Sequence, residues 1–241
     1  MRAVVCGAGG AMGTLICDLL EDRLAGKVSL DGLNGSVKTF SALEVTDADM
    51  LMDFSHHSAI ADVVEFALSR RCALVVGTTG HTREEKELIC KAAEQIPVFY
   101  SGNMSLGIAV LCNLAKQAAA CFPEADIEIV EVHHNRKVDA PSGTALMLAD
   151  AIRQVRPEAK PHCGRAGEGK RTKEEIGISS LRMGNVVGIH EVHICTPNQA
   201  LTLRHEAFSR NMLAEGAVAV AEFLQDQPAG LYDMHSLLAA R

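Results

Sequence analysis

The sequence predicts an α/β protein whose first part is a parallel sheet flanked by helices and whose second part is built on a mixed sheet. Two observations support this prediction. In residues 1–105, short apolar runs alternate with helical patterns, the order that is typical of βαβ units. After residue 105, longer segments with partial alternation of apolar side chains follow one another, and this spacing favours a mixed or antiparallel sheet.

The first part of the chain alternates strands and helices from its beginning. Residues 1–6 form an apolar run that ends in a glycine-rich turn, and residues 14–24 carry apolar side chains at helical spacing. We expect a short second strand over residues 28–30, with Asp31 at its end. Further strands are predicted at residues 49–55, 72–76 and 97–100, and helices at residues 58–70 and 82–96. Together these segments predict a parallel sheet with helices on both faces.

The second part contains longer strand patterns, a single clear helix at residues 142–155, and a candidate flexible loop over residues 161–173. The predicted strands cover residues 127–134, 176–182, 186–195 and 200–207. We assign a last predicted helix, at residues 210–224, to the same domain as the first part of the chain. We therefore divide the chain into one domain of residues 1–105 with 209–241 and a second domain of residues 106–208.

Composition excludes several classes of function. The net charge is -7, aromatic residues make up 4% and Trp is absent, so neither a phosphate-backbone binder nor a stacking platform for single-stranded nucleic acid is expected. No apolar run is long enough to cross a membrane, and no signal-peptide pattern opens the chain, which predicts a cytoplasmic protein. The eight cysteines are scattered singly, so we expect small buried side chains and neither a metal site nor disulfides.

The glycines after the first strand predict a dinucleotide site. They follow a strand and open a helix, and the positions are Gly7, Gly9, Gly10 and Gly13. Residues without a Cβ let backbone N–H groups approach a pyrophosphate at the positive end of a helix. Asp31 follows at a spacing that suits a ribose-binding carboxylate, although a simple turn is the alternative. A second glycine turn at residues 77–80 ends another strand at the edge where such sheets bind ligands, and we therefore expect a Rossmann-type domain.

A cluster of basic residues stands out in this acidic chain. Residues 131–145 read EVHHNRKVDAPSGTA, in which His133, His134 and Lys137 precede the expected start of a helix near Ser142. Histidine transfers protons near neutral pH, and lysine stabilises carboxylates or developing negative charge. The free N–H groups of the helix add a second place for an anion, so this arrangement suits a small dicarboxylate. A solvated basic loop is the alternative.

The segment HHNRKVDAPSGTA closely resembles the signature of the 4-hydroxy-tetrahydrodipicolinate reductase family, also called dihydrodipicolinate reductases. Other landmarks of that family occur in the expected order, namely GAGGAMG, DFS, GTTG, SGNMSLG, GRAGEGKR, RMGNVVGIHEV, EAFSRNMLAEGAV and GLYDM. The resemblance covers nearly the whole chain. It implies an NAD(P)H-dependent reductase of a cyclic imine dicarboxylate in lysine biosynthesis.

The resemblance also implies roles for single residues. His133 would be the proton donor or acceptor, and Lys137 the second proton donor or an electrostatic stabiliser. Substrate would be bound by His134, Ser142, Gly143 and Thr144. The cofactor would be held by Gly7, Ala8, Gly9, Gly10, Ala11, Met12, Asp31, Gly77, Thr78, Thr79, Ser101, Gly102, Asn103 and Met104. The family further implies a homotetramer built through the sheets of the second domain, and closure of the two domains over substrate.

Three departures from the family pattern concern the cofactor. Ala11 stands where an arginine is usual, SGNMS replaces Ala-x-Asn-Phe-Ser, and the alignment of Asp31 rests on spacing alone. Asp31 would accept ribose hydroxyls and repel a 2′-phosphate, so we expect NADH to be preferred, with NADPH possible. Two other functions are considered: a different dehydrogenase of a small imino or amino acid, and a non-catalytic protein that senses NAD(H).

Overall fold

The computed structural model describes residues 1–33, 35–45 and 47–241 and divides the chain into two compact units. The first unit comprises Met1–Ser105 with Asn211–Arg241, and the second comprises Leu106–Arg210. In chain order the elements are β1 (Ala3–Cys6), α1 (Ala11–Leu20), β2 (Leu24–Val28), β3 (Met50–Asp53), α2 (Ile60–Arg70), β4 (Ala73–Val76), α3 (Arg83–Ala93), β5 (Pro97–Tyr100), α4 (Leu106–Cys121), β6 (Asp126–His133), α5 (Gly143–Arg153), β7 (Lys160–Cys163), β8 (Glu175–Arg182), β9 (Gly188–Thr196), β10 (Gln199–Ala207), α6 (Asn211–Leu224), β11 (Gly230–Tyr232) and α7 (Met234–Ala239). Short 3-10 turns occupy Glu21–Arg23, Phe40–Ala42 and His57–Ala59.

The first unit is a six-stranded parallel sheet in the order β11-β5-β4-β3-β1-β2, as the sequence predicts. Its central strands are buried on both faces, which explains their nearly continuous apolar sequences. Helices α2 and α3 pack together over one face, and α1 and α6 pack together against the strands. Because β1 lies between β2 and β3, the order reverses beside β1, and the turns after β1 and β3 meet at the carboxyl edge where such sheets bind ligands.

The second unit is a mixed sheet in the order β10-β9-β6-β8-β7, which confirms the prediction. Strands β6, β7 and β8 run parallel, while β9 pairs antiparallel with both β6 and β10. Helices α4 and α5 cover one face, where Ile127, Ile129 and Val192 are buried. Alternation along β6 places Glu131 on this covered face and Val130 and Val132 on the other.

Several predicted elements differ from the structure. The first helix ends at Leu20, and Leu24 begins β2, which ends at Val28, so the predicted strand at residues 28–30 is wrong. Asp31 lies in the turn that follows. Helix α4 is not predicted because its sequence is apolar or small around most of its circumference and lacks a clear stripe.

The predictions for the loop and for the cysteines also differ from the structure. Strand β7, Lys160–Cys163, includes the first three residues of the segment 161–173 expected to be flexible. Arg171 is fixed by ion pairs to Asp126 and Glu128, because the acidic residues of β6 lie beside it. Cys6, Cys17 and Cys72 are buried as expected, but Cys90, Cys121 and Cys163 are exposed. All eight cysteines are free thiols, and no helix in the described ranges is long and apolar enough to span a membrane.

Candidate active site

The turn between β1 and α1 packs so closely on neighbouring backbone that glycine is required. Gly7 has a φ of +82°, and a Cβ there would lie 2.2 Å from the carbonyl oxygen of Phe54. A Cβ on Gly13 would lie 2.1 Å from the carbonyl oxygen of Gly7. Gly10 is the N-cap of α1, and no described side chain caps this helix. The first N–H groups of α1 are therefore available to an anion such as a pyrophosphate.

Asp31 lies against this glycine turn. A Cβ on Gly9 would lie 2.8 Å from each carboxylate oxygen of Asp31, so the turn and the carboxylate border the same space. The N–H of Leu33 and the hydroxyl of Ser29 donate to Oδ1 of Asp31 at 3.0 and 2.8 Å. These hydrogen bonds lower the pKa of Asp31. The carboxylate is thus kept ionised and ready to accept hydroxyl hydrogens.

A cavity of about 850 Å³ in the first unit runs along the turn and Asp31. Gly7, Gly10 and Lys38 contribute to its lining, and Phe66, stacked on Phe40, adds an aromatic surface. The side chain of Lys38 crosses the turn after Asp31, because a Cβ on Gly32 would lie 3.3 Å from its Cε. The size and this mixture of polar and apolar groups fit the adenosine half of a dinucleotide.

The loops after β4 and β5 meet at the same edge of the first sheet. A Cβ on Gly102 would lie 3.2 Å from Cγ2 of Thr79, so the predicted groups Gly77–Thr79 and Ser101–Met104 are brought together. Thr78 is buried and accepts a hydrogen bond from the N–H of Ser55 at 2.9 Å. Met104 is also buried, which leaves its backbone rather than its side chain for any contact with a ligand.

His133 ends strand β6 and pairs with a buried carboxylate. Its Nδ1 lies 2.5 Å from Oε2 of Glu131, whose side chain is 0% exposed. The two residues share a face of the strand because they are two positions apart. Gly188 lies close to the other ring nitrogen, since a Cβ there would be 3.2 Å from Nε2 of His133. The small residue keeps that nitrogen uncovered.

Arg182 supplies the counter-charge for Glu131. Its Nη1 and Nη2 donate to Oε2 and Oε1 of Glu131 at 2.9 and 2.7 Å, a bidentate pair. Burial opposes ionisation of Glu131, but hydrogen bonds from Arg182, Ser180, His133 and Ser142 outweigh it and lower its pKa to about 2. Glu131 is therefore an anion throughout the physiological range of pH.

The N-terminus of α5 is tied to the same carboxylate. The N–H of Ser142 donates to Oε1 of Glu131 at 3.1 Å, and the hydroxyl of Ser142 accepts from the N–H of Ala145 as the N-cap. Ser142 is 2% exposed, so its side chain shapes the helix end and is not placed to touch a substrate as the sequence suggested. Gly143 is exposed, and no atom lies within 4 Å of the position of its missing Cβ.

His190 on β9 completes the buried cluster. Its Nε2 lies 3.2 Å from the hydroxyl of Ser142, and its ring stands edge-on to that of His133 with centroids 5.1 Å apart. Burial lowers the pKa of His190 to about 4, and the charge of His133 acts in the same direction. The neutral ring is therefore a packing and hydrogen-bonding partner of the helix end.

Lys137 and His134 lie in the turn after β6. The N–H of Lys137 donates to the carbonyl of His134, and its Nζ pairs with Asp139 at 2.9 Å. Burial, together with the charges of Arg136 and Arg210, lowers the pKa of His134, and its Nδ1 has no partner among the described residues. Arg136 is turned to Asn185, to which it donates at 2.8 Å. Lys137 and Arg136, adjacent in sequence, thus have different partners.

The structure gathers the predicted residues into two groups, one in each unit. It also adds Glu131, Arg182 and His190, to which sequence analysis gave no role. A charged residue at a core-facing position of a strand was the available signal for Glu131, since such residues are rarely buried unless paired. Arg182 lies more than fifty positions further along the chain, and only the pairing of β6 with β8 reveals it as the partner.

These features fit a nicotinamide dinucleotide. The turn, in which Gly7 and Gly13 have no space for a Cβ, the uncapped start of α1 and the ionised Asp31 are features of the kind that bind pyrophosphate and ribose in dinucleotide folds. A separate unit carries a histidine on a buried carboxylate beside an open helix N-terminus. Fold and site together define a nicotinamide-dependent oxidoreductase.

The family within that class follows from comparison of sequences. Residues 1–104 match the family described as "Dihydrodipicolinate reductase, N-terminus", and residues 107–238 match "Dihydrodipicolinate reductase, C-terminus". The chain therefore belongs to the dihydrodipicolinate reductase family, as its signature segment predicts. Membership makes it an oxidoreductase that uses a nicotinamide cofactor.

Relatives and solved structures agree. The chain is 41% identical to the 4-hydroxy-tetrahydrodipicolinate reductase of Caldanaerobacter subterraneus subsp. tengcongensis, covering 99% of this chain and 98% of the relative, and 39% identical to that of Alkaliphilus metalliredigens, covering 99% of each. Its fold is similar to dipicolinate-bound dihydrodipicolinate reductase from Paenisporosarcina sp. TG-14, with a TM-score of 0.77 at 23% identity over 97% of each chain. A diaminopimelate dehydrogenase from C. glutamicum shares the fold more distantly, with a TM-score of 0.57 at 14% identity.

Proposed function

We propose that the chain catalyses the NAD(P)H-dependent reduction of 4-hydroxy-tetrahydrodipicolinate to tetrahydrodipicolinate, a step towards diaminopimelate and lysine. One observation carries the proposal. The signature segment folds so that His133 and the open N-terminus of α5 are bound to one buried carboxylate, Glu131. A proton-transfer group and an anion site are thereby held in a fixed relation, which suits reduction of a dicarboxylate. The names of the relatives point to the same reaction.

The first unit has the role of holding the cofactor. The glycine turn of residues 7–12 takes the pyrophosphate at the uncapped start of α1, Asp31 takes the adenosine ribose, and residues 77–79 with 101–104 form the nicotinamide end. When bound, the reduced nicotinamide supplies a hydride. The closed packing of the glycine turn orients the cofactor and excludes side chains from its path.

The second unit binds substrate and moves protons. The N–H groups of Gly143 and Thr144 at the start of α5 donate to a substrate carboxylate, and His134 contributes a further contact. His133 and Lys137 neutralise or stabilise the negative charge that develops on the substrate during reduction, either by proton transfer or by electrostatic stabilisation. Lys137 would exchange Asp139 for the substrate, since this ion pair is partly exposed.

The choice of cofactor depends on Asp31 and Lys38. Asp31 repels a 2′-phosphate, whereas Lys38 lies across the following turn in the same cavity and offers a compensating charge. We predict that NADH binds more tightly than NADPH, and that Lys38→Ala weakens NADPH more than NADH. Fluorescence titration of both cofactors measures this. Equal or tighter binding of NADPH by the parent would overturn the role assigned to Asp31.

We further propose a cytoplasmic homotetramer. Eight free thiols, three of them exposed, suit a reducing compartment. The face of the second sheet opposite α4 and α5 carries Val130, Val132, Leu181 and Ile189, which the strand register places side by side. None of the four is buried in the single chain, so a partner subunit would cover an apolar surface there.

A coupled assay tests the reaction. The product that the corresponding synthase forms from pyruvate and aspartate semialdehyde is supplied to the purified chain, and loss of NADH absorbance is followed. Turnover that requires both the synthase product and the chain supports the proposal. Tight NADH binding without turnover would instead favour a non-catalytic sensor of NAD(H).

A further inference from the structure

The side chain of Glu131 accepts hydrogen bonds from three separate parts of the second unit. Oε2 accepts from Arg182 at 2.9 Å and faces Nδ1 of His133 at 2.5 Å. Oε1 accepts from Arg182 at 2.7 Å and from the N–H of Ser142 at 3.1 Å. Arg182, His133 and Ser142 make four hydrogen bonds to a carboxylate that has about four acceptor sites, and Ser180 is a further hydrogen-bond partner. The side chain of Glu131 is fully buried.

These partners determine which nitrogen of His133 carries its hydrogen. Arg182 and the backbone N–H of Ser142 can only donate, and they stabilise Glu131 as an acceptor. Nδ1 of His133 must therefore be the donor to Oε2, which leaves Nε2 as the nitrogen that exchanges a proton. Gly188 leaves that nitrogen uncovered, because a Cβ there would approach it to 3.2 Å.

The same carboxylate fixes the position of the helix that receives the anion. Ser142 is the N-cap of α5, and its backbone N–H is held by Glu131 while its hydroxyl contacts His190. Arg182 orients the carboxylate and also donates to the carbonyl of Asp139 at 2.7 Å, in the turn that carries Lys137. Strand end, turn and helix are thus joined through one ion pair.

We propose that Glu131, held by Arg182, is a positioning residue for the reaction. It sets the hydrogen of His133 on Nδ1 and holds the start of α5 at a fixed distance from the free Nε2. This inference rests on the proposed function for the identity of the reaction, but the state of His133 can be measured without turnover.

Glu131→Gln is the direct test. An amide keeps the size of the side chain but places an NH₂ group against two donors in either orientation. In one orientation the NH₂ faces Nδ1 of His133 and selects the tautomer with hydrogen on Nε2; in the other it faces the N–H of Ser142 and pushes α5 away. We expect kcat to fall about 100-fold, while the Kd of NADH stays unchanged because the cofactor residues lie in the first unit.

The tautomer of His133 separates the two possible roles of Glu131, because a merely structural role would leave it unchanged. Nitrogen NMR of the ¹⁵N-histidine-labelled chain distinguishes the two ring nitrogens, and His133→Asn identifies the signal by its loss. The parent should show Nδ1–H at neutral His133, and Glu131→Gln should show a gain of Nε2–H or weaker binding of dipicolinate as the substrate-like dianion. Glu128→Gln is the matched control, since Glu128 lies on the same strand and also pairs with an arginine.

Glu131→Asp covers the case in which the glutamine variant does not fold. It retains the charge for Arg182 but is one methylene shorter, so it cannot serve both His133 and Ser142, and kcat should fall at least ten-fold. A normal tautomer and a kcat within three-fold of the parent would overturn the proposal, as would a loss of kcat with both the tautomer and the binding of dipicolinate unchanged. If the parent chain itself does not turn over, the proposed function fails while the tautomer still decides the role of Glu131.

Discussion

The basic side chains of the signature segment have distinct partners, although they are adjacent in sequence. His133 points to the buried Glu131, Lys137 to the more exposed Asp139, and Arg136 away to Asn185. Carboxylates therefore face two of these side chains, His133 and Lys137, while Arg136 contacts a neutral amide. Of these three, only Lys137 has an ion-pair partner that solvent or a substrate can readily displace.

Replacement of Lys137 tests whether its charge acts during the chemical step. Lys137→Ala should lower kcat by roughly 100-fold, because a positioned acid or electrostatic group is lost, and His133→Ala should have a comparable effect. Steady-state kinetics of both variants and of the double variant measure this, and the double variant should lose less than the product of the two. Arg136→Ala is the control and should stay within a few-fold of the parent. A normal kcat with a raised KM in Lys137→Ala would indicate that Lys137 binds a substrate carboxylate and does not act in the chemical step.

Protonation of His190 should weaken the fold as pH falls. Burial lowers its pKa in the folded chain to about 4, so between the ordinary histidine value near 6.5 and pH 4 only the unfolded chain takes up the proton. Stability is then lost as pH falls through this window. From pH 7.5 to pH 5 the loss due to His190 is about 2 kcal/mol.

Urea unfolding of the parent and of His190→Asn at both pH values isolates this contribution. The asparagine variant cannot titrate, so its stability should change less between the two pH values than that of the parent. An equal change in both chains would mean that His190 is not the group responsible.

At the scale of elements, the start of α5 combines a side-chain cap with an exposed glycine. Ser142 is the N-cap of the helix. Its hydroxyl accepts a hydrogen bond from the N–H of Ala145, and its own N–H donates to Glu131. Gly143 occupies the exposed first position, where a side chain would project into open space. Ser142 thus supplies the side-chain cap of α5, while the exposed Gly143 has open space on its outer side, as the proposed carboxylate site requires.

Gly143→Val should therefore disturb binding and leave the fold intact. The new side chain meets no atom within 4 Å in the free chain, but it occupies the approach of a carboxylate. We expect the affinity for dipicolinate to fall at least ten-fold, with the Kd of NADH and the Tm nearly unchanged. Calorimetric titration measures both ligands. Gly169→Val, at another open glycine, is the control, and equal loss of both ligands would indicate a folding defect instead.

The strands and helices show where sequence patterns succeed and fail. The buried strands of the first sheet are predictable because burial on both faces leaves a continuous apolar run. The position of β2 in the sequence is not predictable in this way, since Leu24–Val28 is only partly buried and contains Gly26 and Lys27. Helix α4 escapes prediction because small and apolar residues nearly surround it, so periodicity is weak.

At the scale of the whole molecule, we predict assembly into a tetramer through the uncovered face of the second sheet. Leu181 lies on that face with 42% of its surface exposed, so a charge there is tolerated by the single chain. Leu181→Glu should split the tetramer because a buried unpaired carboxylate is costly. Sedimentation velocity measures the mass.

The matched control for this assembly is Leu231→Glu, since Leu231 is 50% exposed on a strand of the first sheet. This variant should keep the assembly of the parent. A parent chain that sediments as a monomer would refute the tetramer.

The sequence by itself determined the two sheets, the glycine turn and the signature segment, because each depends on residues that are close in the chain. Turns need particular backbone freedom, and strands show their burial in their own composition. Only the tertiary structure decided the partners of Glu131, which come from three different segments of the second unit. Hydrogen bonds between distant segments depend on strand register, and a single buried carboxylate leaves no periodic trace in the sequence.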